Sequence, residues 1–135
     1  MSLHERTGWR DETMSRWHRC IGKDMYLTDI DSLWLEYSSG SLVAVMEYKA
    51  MGAHPHAGNA SGCRAISDLA RRAGIPAFLV KYDESLTTFF VVDLARGMWD
   101  ETTRRLTRSE YLTFLYSLRG LKVPPEIWAA SEAHR

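Results

Sequence analysis

From Leu27 to Glu36 the chain alternates with a period of two. Leu27, Asp29, Asp31, Leu33 and Leu35 fall on one side of an extended segment; Tyr26, Thr28, Ile30, Ser32, Trp34 and Glu36 fall on the other. Strict alternation sets two carboxylates beside three leucines. Either a bulge intervenes, or the carboxylates lie at the rim of the sheet, where a buried face meets a cleft. Tyr37–Ser41 reads as a turn, and Leu42-Val43-Ala44-Val45-Met46 is then almost continuously apolar until Glu47 and Lys49. Segments 25–37 and 42–49 are therefore expected to form an antiparallel hairpin, with the second strand covered on both faces.

Elsewhere the period lengthens. Trp9, Thr13 and Trp17 recur every four residues and predict a helix over about 3–19. Residues 50–62 (AMGAHPHAGNASG) are glycine-rich and polar, a loop placed to edge a cleft. A helix is expected over 62–73, burying Ile66, Leu69, Ala70 and Ala73 and turning Arg64, Ser67, Asp68, Arg71 and Arg72 outward; Gly74 and Pro76 end it. Strands follow at 76–82 and 87–94. Thr107 and Glu110 form a T-x-x-E capping box for a helix over about 108–119, with Tyr111, Phe114, Leu115 and Leu118 as its stripe. A short turn is expected around Ile127 and Trp128. The order predicts an α/β fold, a central mixed sheet of about four strands flanked by helices. Strands 42–49 and 76–82 should be parallel neighbours joined by a right-handed crossover. Val43, Val45, Ile66, Leu69, Phe78, Val80, Phe90, Val92, Phe114 and Leu118 should supply much of the core.

Length and composition narrow the function classes. The 135 residues suit one domain, 1–135, and at 45% hydrophobic and 11% aromatic they are globular in composition. The longest apolar runs are too short for a membrane-spanning helix. With 17 Lys+Arg against 17 Asp+Glu, the chain lacks the basic excess of a nucleic-acid coat protein. Charge is nevertheless uneven. Residues 23–49 hold five acids and two bases, whereas 96–108 hold Arg96, Arg104, Arg105 and Arg108. Cys20 and Cys63 frame no disulfide scaffold, and MSLHERTGWRDE has no apolar signal core; a cytoplasmic location is the expectation.

The chemistry concentrates in Asp31 and Glu47-Tyr48-Lys49, with Asp29 as a near duplicate of Asp31. Glu47 and Lys49 share one face of their strand, and Asp31 can approach them across the sheet. Two adjacent carboxylates repel unless a cation lies between them, and hard oxygen ligands suit Mg2+, with Mn2+ able to substitute. The backbone carbonyl of Tyr48 can add a third oxygen. A lysine on the same edge can orient or deprotonate a water and offset phosphoryl charge, which outlines phosphodiester hydrolysis. An exposed Glu-x-Lys is by itself an ordinary surface pair of little energetic weight, so the context carries the assignment.

In element order over residues 9–94, and in the motif Asp31 or Asp29, Glu47 and Lys49, the chain resembles the PD-(D/E)xK nuclease superfamily, the restriction-endonuclease-like fold. YLTDIDSLWLEY followed by VAVMEYKA resembles small phage- or prophage-borne members in particular. That resemblance implies a Mg2+-dependent endonuclease with DNA as its expected substrate, the motif acids on Asp31 or Asp29 and on Glu47, and the motif lysine on Lys49. Two departures are plain: Thr28 and Ile30, not proline, precede the aspartates, and only two strands precede the crossover helix. Enzymes of this class use that helix to touch substrate phosphate, which brings in Ser67, Arg71 and Arg64. Arg64, Arg71 and Arg72 would grip a backbone together with Arg104, Arg105 and Arg108 if both helices border one cleft. Small nucleases often dimerise to reach both strands, so a homodimer is compatible. Glu12 on the first helix and a zinc site from His54, His56 and Cys63 are weaker candidates, the latter for want of a fourth ligand. The alternative function is a catalytically inactive nuclease-fold protein that binds nucleic acid or protein.

Overall fold

The computed structural model describes residues 13, 16, 17, 20, 21, 30–51, 57–96 and 103–133, with the backbone alone for 57–61. In chain order the elements are β1 (Ser32–Leu35), β2 (Leu42–Ala50), α1 (Ala57–Ala73), β3 (Ala77–Tyr82), β4 (Thr88–Asp93), β5 (Arg104–Thr107), α2 (Arg108–Ser117) and α3 (Pro125–Ala133). The strands form one five-stranded sheet in the order β1-β2-β3-β4-β5. β2 and β3 run parallel, and every other neighbouring pair is antiparallel. The fold is thus α/β with a mixed sheet. No helix of the described residues is long and apolar enough to cross a membrane.

The near-continuous apolar run of β2 has a direct cause. Successive side chains of a strand point to opposite faces, and here both faces are covered. Val45 enters a layer with Cys63, Ile66 and Ala70 of α1, together with Ala77, Leu79, Val92 and Leu94. Ala44 and Met46 enter the opposite layer with Phe78, Val80, Phe89, Val91 and the α2 residues Tyr111 and Phe114. Aromatic geometry fixes that second layer. Phe89 stacks on Tyr111 at 4.1 Å, and Phe78 meets Phe114 edge to face at 5.0 Å.

Polar side chains close the turns. Asp83 accepts from the backbone N–H groups of Thr87 (2.7 Å) and Thr88 (3.0 Å), and from the hydroxyls of Ser85 and Thr87. These bonds hold its carboxyl far below the usual carboxylate range, led by the one from Thr87. Arg108 at the start of α2 donates to the Leu86 and Ser85 carbonyls, tying that helix to the same turn. Thr107 and Glu110 make the reciprocal capping box that their spacing predicts.

Several expectations need correction. α1 begins at Ala57, not at 62; its glycines and Asn59 read as loop, but packing on the sheet outweighs weak propensity. Its buried stripe is Cys63-Ile66-Ala70, while Leu69 is 48% exposed. The sheet has a fifth strand, RRLT at 104–107, too short and too charged to signal itself by alternation. The tail forms the helix α3 in place of a short turn, with Pro125 at its first position, where proline is well tolerated. Of the helix expected at 3–19, Thr13, Arg16 and Trp17 are helical, as is Cys20 just beyond it; the rest lies outside the described residues.

Met46 is fully buried between β3 and α2. Met46→Ala should therefore lower unfolding free energy by about 2–5 kcal/mol. A urea titration should show a lower midpoint with an unchanged slope, and a midpoint equal to wild type would refute this two-faced placement of β2.

Candidate active site

Backbone direction along β2 decides which side chains meet. The N–H of Val45 donates to the Pro76 carbonyl (3.0 Å) and that of Met51 to Tyr82 (2.8 Å), so odd-numbered residues turn their peptide groups toward β3. Even-numbered residues turn theirs toward β1. Met46 pairs with Ser32 across that edge, and one step further along the register brings Asp31 opposite Glu47. In an antiparallel ladder hydrogen-bonded and non-hydrogen-bonded pairs alternate, and the second kind brings side chains closer. Asp31 and Glu47 occupy such a close pair, on the face that carries α1.

β1 begins only at Ser32, and the Asp31 side chain takes over where the strand stops. Its Oδ2 accepts from the backbone N–H of Tyr48 at 3.1 Å. The N–H and C=O of one strand residue leave on the same edge. Tyr48 therefore presents its carbonyl on the Asp31 side as well. Glu47 is 13% exposed and its Oε1 lies 3.4 Å from the Lys49 ammonium. Its Oε2 is out of solvent with no hydrogen-bond partner, the one buried side-chain polar atom of that kind among the described residues. The neighbouring Asp31 carboxyl shares a hydrogen bond with Glu47 only when one of the two is protonated; ionised, it adds a second negative charge.

The electrostatics follow from this arrangement. Burial, and then the charge of Asp31, push the Glu47 carboxyl above its ordinary value, and Lys49 offsets this only in part. A buried carboxylate with an orphaned oxygen, faced by a second carboxylate, is a site short of positive charge. Mg2+ fits that deficit, since it is commonly held by one or two carboxylates and completes its shell with water and other oxygens. Asp31, Glu47 and the Tyr48 carbonyl would hold it. No group of three His, Cys, Asp or Glu side chains suited to a metal occurs among the described residues, so an all-side-chain cage is not what the site offers.

The other sequence candidates are placed less centrally. Ser67 donates to the Leu94 carbonyl at 3.2 Å, a bond that ties α1 to the end of β4. Arg71 and Arg72 both pair with Asp68. Arg71 lies eight residues, about 12 Å of helix, beyond Cys63. Arg64 is exposed beside Cys63. α1 and α2 pack on opposite faces of the sheet, which separates Arg108 at the start of α2 from the arginines of α1, while Arg104 and Arg105 lie on β5. Arg108 is instead engaged with the β3–β4 turn. Asp29, Glu12, His54 and His56 lie outside the described residues.

One neighbour escaped the sequence reading. Cys63 is buried under the site, and its thiol is pushed up by burial and then by the charge of Glu47, with Asp31 adding to the effect. Sequence analysis weighed it only as a zinc ligand. Its place in the i, i+3, i+7 stripe with Ile66 and Ala70 was the available signal that it is buried against the sheet.

The raised Glu47 carboxyl has a calculable sign. A folded value above the unfolded one favours the acid form in the fold, so its contribution is full below about 4.5, the ordinary value, and is lost as pH rises through the folded value. Without metal at neutral pH, Glu47→Gln should therefore raise the melting temperature, an effect on the order of 1 kcal/mol or about 4 °C for a chain of this size. Mn2+ should raise the wild-type value and leave the variant's unchanged. A melting temperature lower than wild type at pH 7, with equal responses to Mn2+, would contradict this electrostatic account.

In comparisons with known proteins, no family model matches the chain, and neither a curated protein nor a solved structure matches it.

Proposed function

We propose that this chain is a divalent-metal-dependent phosphodiester hydrolase acting on nucleic acid, with DNA as its substrate. The observation that carries the reading is the pairing of Asp31 with a largely covered Glu47 whose buried Oε2 lacks a partner, with Lys49 at 3.4 Å from the same carboxylate. The likeness in element order to the restriction-endonuclease-like core supports it. An antiparallel strand pair, a crossover helix and a parallel strand follow one another here, with the acid and lysine on the second strand of the pair.

Each residue has a role its position permits. Asp31, fixed by the Tyr48 N–H, and Glu47 would hold a divalent cation. When bound, Mg2+ supplies Lewis-acid polarisation of a phosphoryl oxygen and a lowered pKa for water. Lys49 is 30% exposed, so its ammonium reaches solvent while still tethered to Glu47. From there it holds the attacking water by hydrogen bonding and counters charge that develops on the phosphoryl group. Zero net charge suits modest substrate affinity with turnover rather than tight sequence-independent coating, which needs many cationic contacts.

The test is a gel assay of linear, nicked, branched and single-stranded DNA with Mg2+, Mn2+ or EDTA. Wild type should cleave at least one substrate, and EDTA should stop it. Lys49→Ala should reduce turnover on the order of 10²–10⁴-fold while Mn2+ binding survives. Glu47→Ala should lose both. Cleavage persisting equally in the two variants would expose a contaminant, and a wild type that neither cleaves nor binds Mn2+ would replace this reading with that of a non-enzymatic binding module.

A further inference from the structure

Tyr48 joins the carboxylate site to the opposite face of the sheet. Its peptide group faces the β1 edge, where the N–H donates to Asp31 Oδ2 at 3.1 Å. Its side chain points away from the face of Glu47 and Lys49, into the layer of Met46, Val80 and Tyr111. There the hydroxyl meets three partners. The Trp34 indole N–H donates to it at 3.1 Å, the Tyr111 hydroxyl lies 3.0 Å away, and the Met46 Sδ lies 3.3 Å away. A phenol hydroxyl has one donor and two lone pairs. Accepting from Trp34 and Tyr111 while donating to Met46 uses all of them.

These bonds join elements that the backbone ladder holds unevenly. Among the described strands β1 is an edge of four residues, and its register to β2 shifts between Trp34 and Leu35. Ser32, Leu33 and Trp34 pair in unbroken register on the side toward the site. Trp34 pairs with Ala44, so its bond to Tyr48 spans four residues of β2 and passes Met46, the partner of Ser32. It reaches the level at which Asp31 leaves the ladder. Tyr111 ties the same hydroxyl to α2, whose position is set by the stack of Tyr111 on Phe89 of β4.

We propose that Tyr48 is the positioning residue of the carboxylate site: its hydroxyl, held by Trp34 and Tyr111, sets where its N–H stands and so where Asp31 meets a divalent cation together with Glu47. The inference rests on the metal reading of Asp31 and Glu47, and adds to it a control on the far face of the sheet. Groups that orient metal-binding side chains from behind typically govern affinity by about 10–100-fold. Tyr48 acts through a single peptide hydrogen bond, so the lower end of that range applies.

The experiment measures Mn2+ affinity from the electron paramagnetic resonance signal of the free ion, and amide exchange by NMR in the metal-free protein. It compares wild type with Tyr48→Phe and Tyr111→Phe, which keep the rings and lose one hydroxyl each. Val91→Ala, which thins the same core layer and removes no side-chain hydrogen bond, is the control. Tyr48→Phe should weaken Mn2+ binding about 10-fold. It should also speed exchange of the residue-48 amide, while the Val45 and Met51 amides, bonded toward β3, stay protected. Tyr111→Phe should move both readouts the same way by less, since Trp34 still holds the Tyr48 hydroxyl. Val91→Ala should lower the melting temperature and leave Mn2+ affinity at the wild-type value. Equal Mn2+ affinity in wild type and Tyr48→Phe would overturn the proposal. A loss in Val91→Ala as large as that in Tyr48→Phe would also overturn it, by assigning the effect to stability alone. A wild type that binds no Mn2+ would overturn it together with the metal reading. Mn2+ binding weakened by Tyr48→Phe, with no DNA cleaved by wild type, would overturn the hydrolase reading alone and leave the role of Tyr48 standing.

Discussion

Parallel pairing of β2 with β3 obliges the chain to cross over, and α1 is that crossover. With α1 on one face and α2 on the other, β2 must present apolar groups in both directions, which Ala44, Val45 and Met46 do. The same pairing aligns the ends of the two strands. Beyond the layer of Val45, Ala77 and Leu79 the next positions on that face are the charged residues Glu47, Lys49 and Lys81.

Placing Glu47 at that boundary works against stability. Its carboxyl is largely out of water, one oxygen has no donor, and Asp31 stands opposite. Lys49 offsets part of this, yet the carboxyl is still pushed above its ordinary value. A glutamine would suit the fold better on electrostatic grounds. Asp83 makes the useful contrast. Its carboxylate receives backbone N–H and hydroxyl donors in a turn and is held strongly ionised. One carboxylate completes its surroundings and the other leaves them unfinished.

The sequence revealed those parts that depend on local pattern. The capping box at Thr107 and Glu110, the hairpin that pairs β1 with β2, and the strands at 77–82 and 88–93 are legible because period or cap chemistry marks each one. β5 was hidden because four residues on an edge, two of them arginines, carry no alternation of their own; pairing with β4 makes it a strand. The start of α1 was hidden because glycine and asparagine argue for a loop; the packing that helix formation draws on begins further along, at Cys63, Ile66 and Ala70. At the site, Asp31, Glu47 and Lys49 were legible from spacing two apart and from the apolar run before them. Cys63 was marked only by its i, i+3, i+7 stripe with Ile66 and Ala70, because which part of the sheet that stripe covers is set by the helix docking.

The opposite face of β2 helps explain how the site keeps its geometry. Even-numbered residues there carry a polar cluster inside the α2 layer. The Tyr48 hydroxyl meets that of Tyr111 at 3.0 Å and receives the Trp34 indole N–H at 3.1 Å. Tyr111 in turn stacks on Phe89, and burial, with the Tyr48 bond second, pushes its hydroxyl well above the usual phenol range, so it stays neutral and available as a donor. Tyr48 thus clamps β2 to β1 through Trp34 and to α2 through Tyr111. The same residue's backbone holds Asp31. A side chain on one face and a peptide group at the edge therefore fix, through one residue, the separation of β1 and β2 at the level where their carboxylates oppose each other. Metal and phosphate geometry tolerates errors of only a few tenths of an ångström. A two-stranded rim without that clamp would leave Asp31 on a fraying strand end, whereas tying it to the best-packed strand of the sheet gives this exposed residue the rigidity of the core.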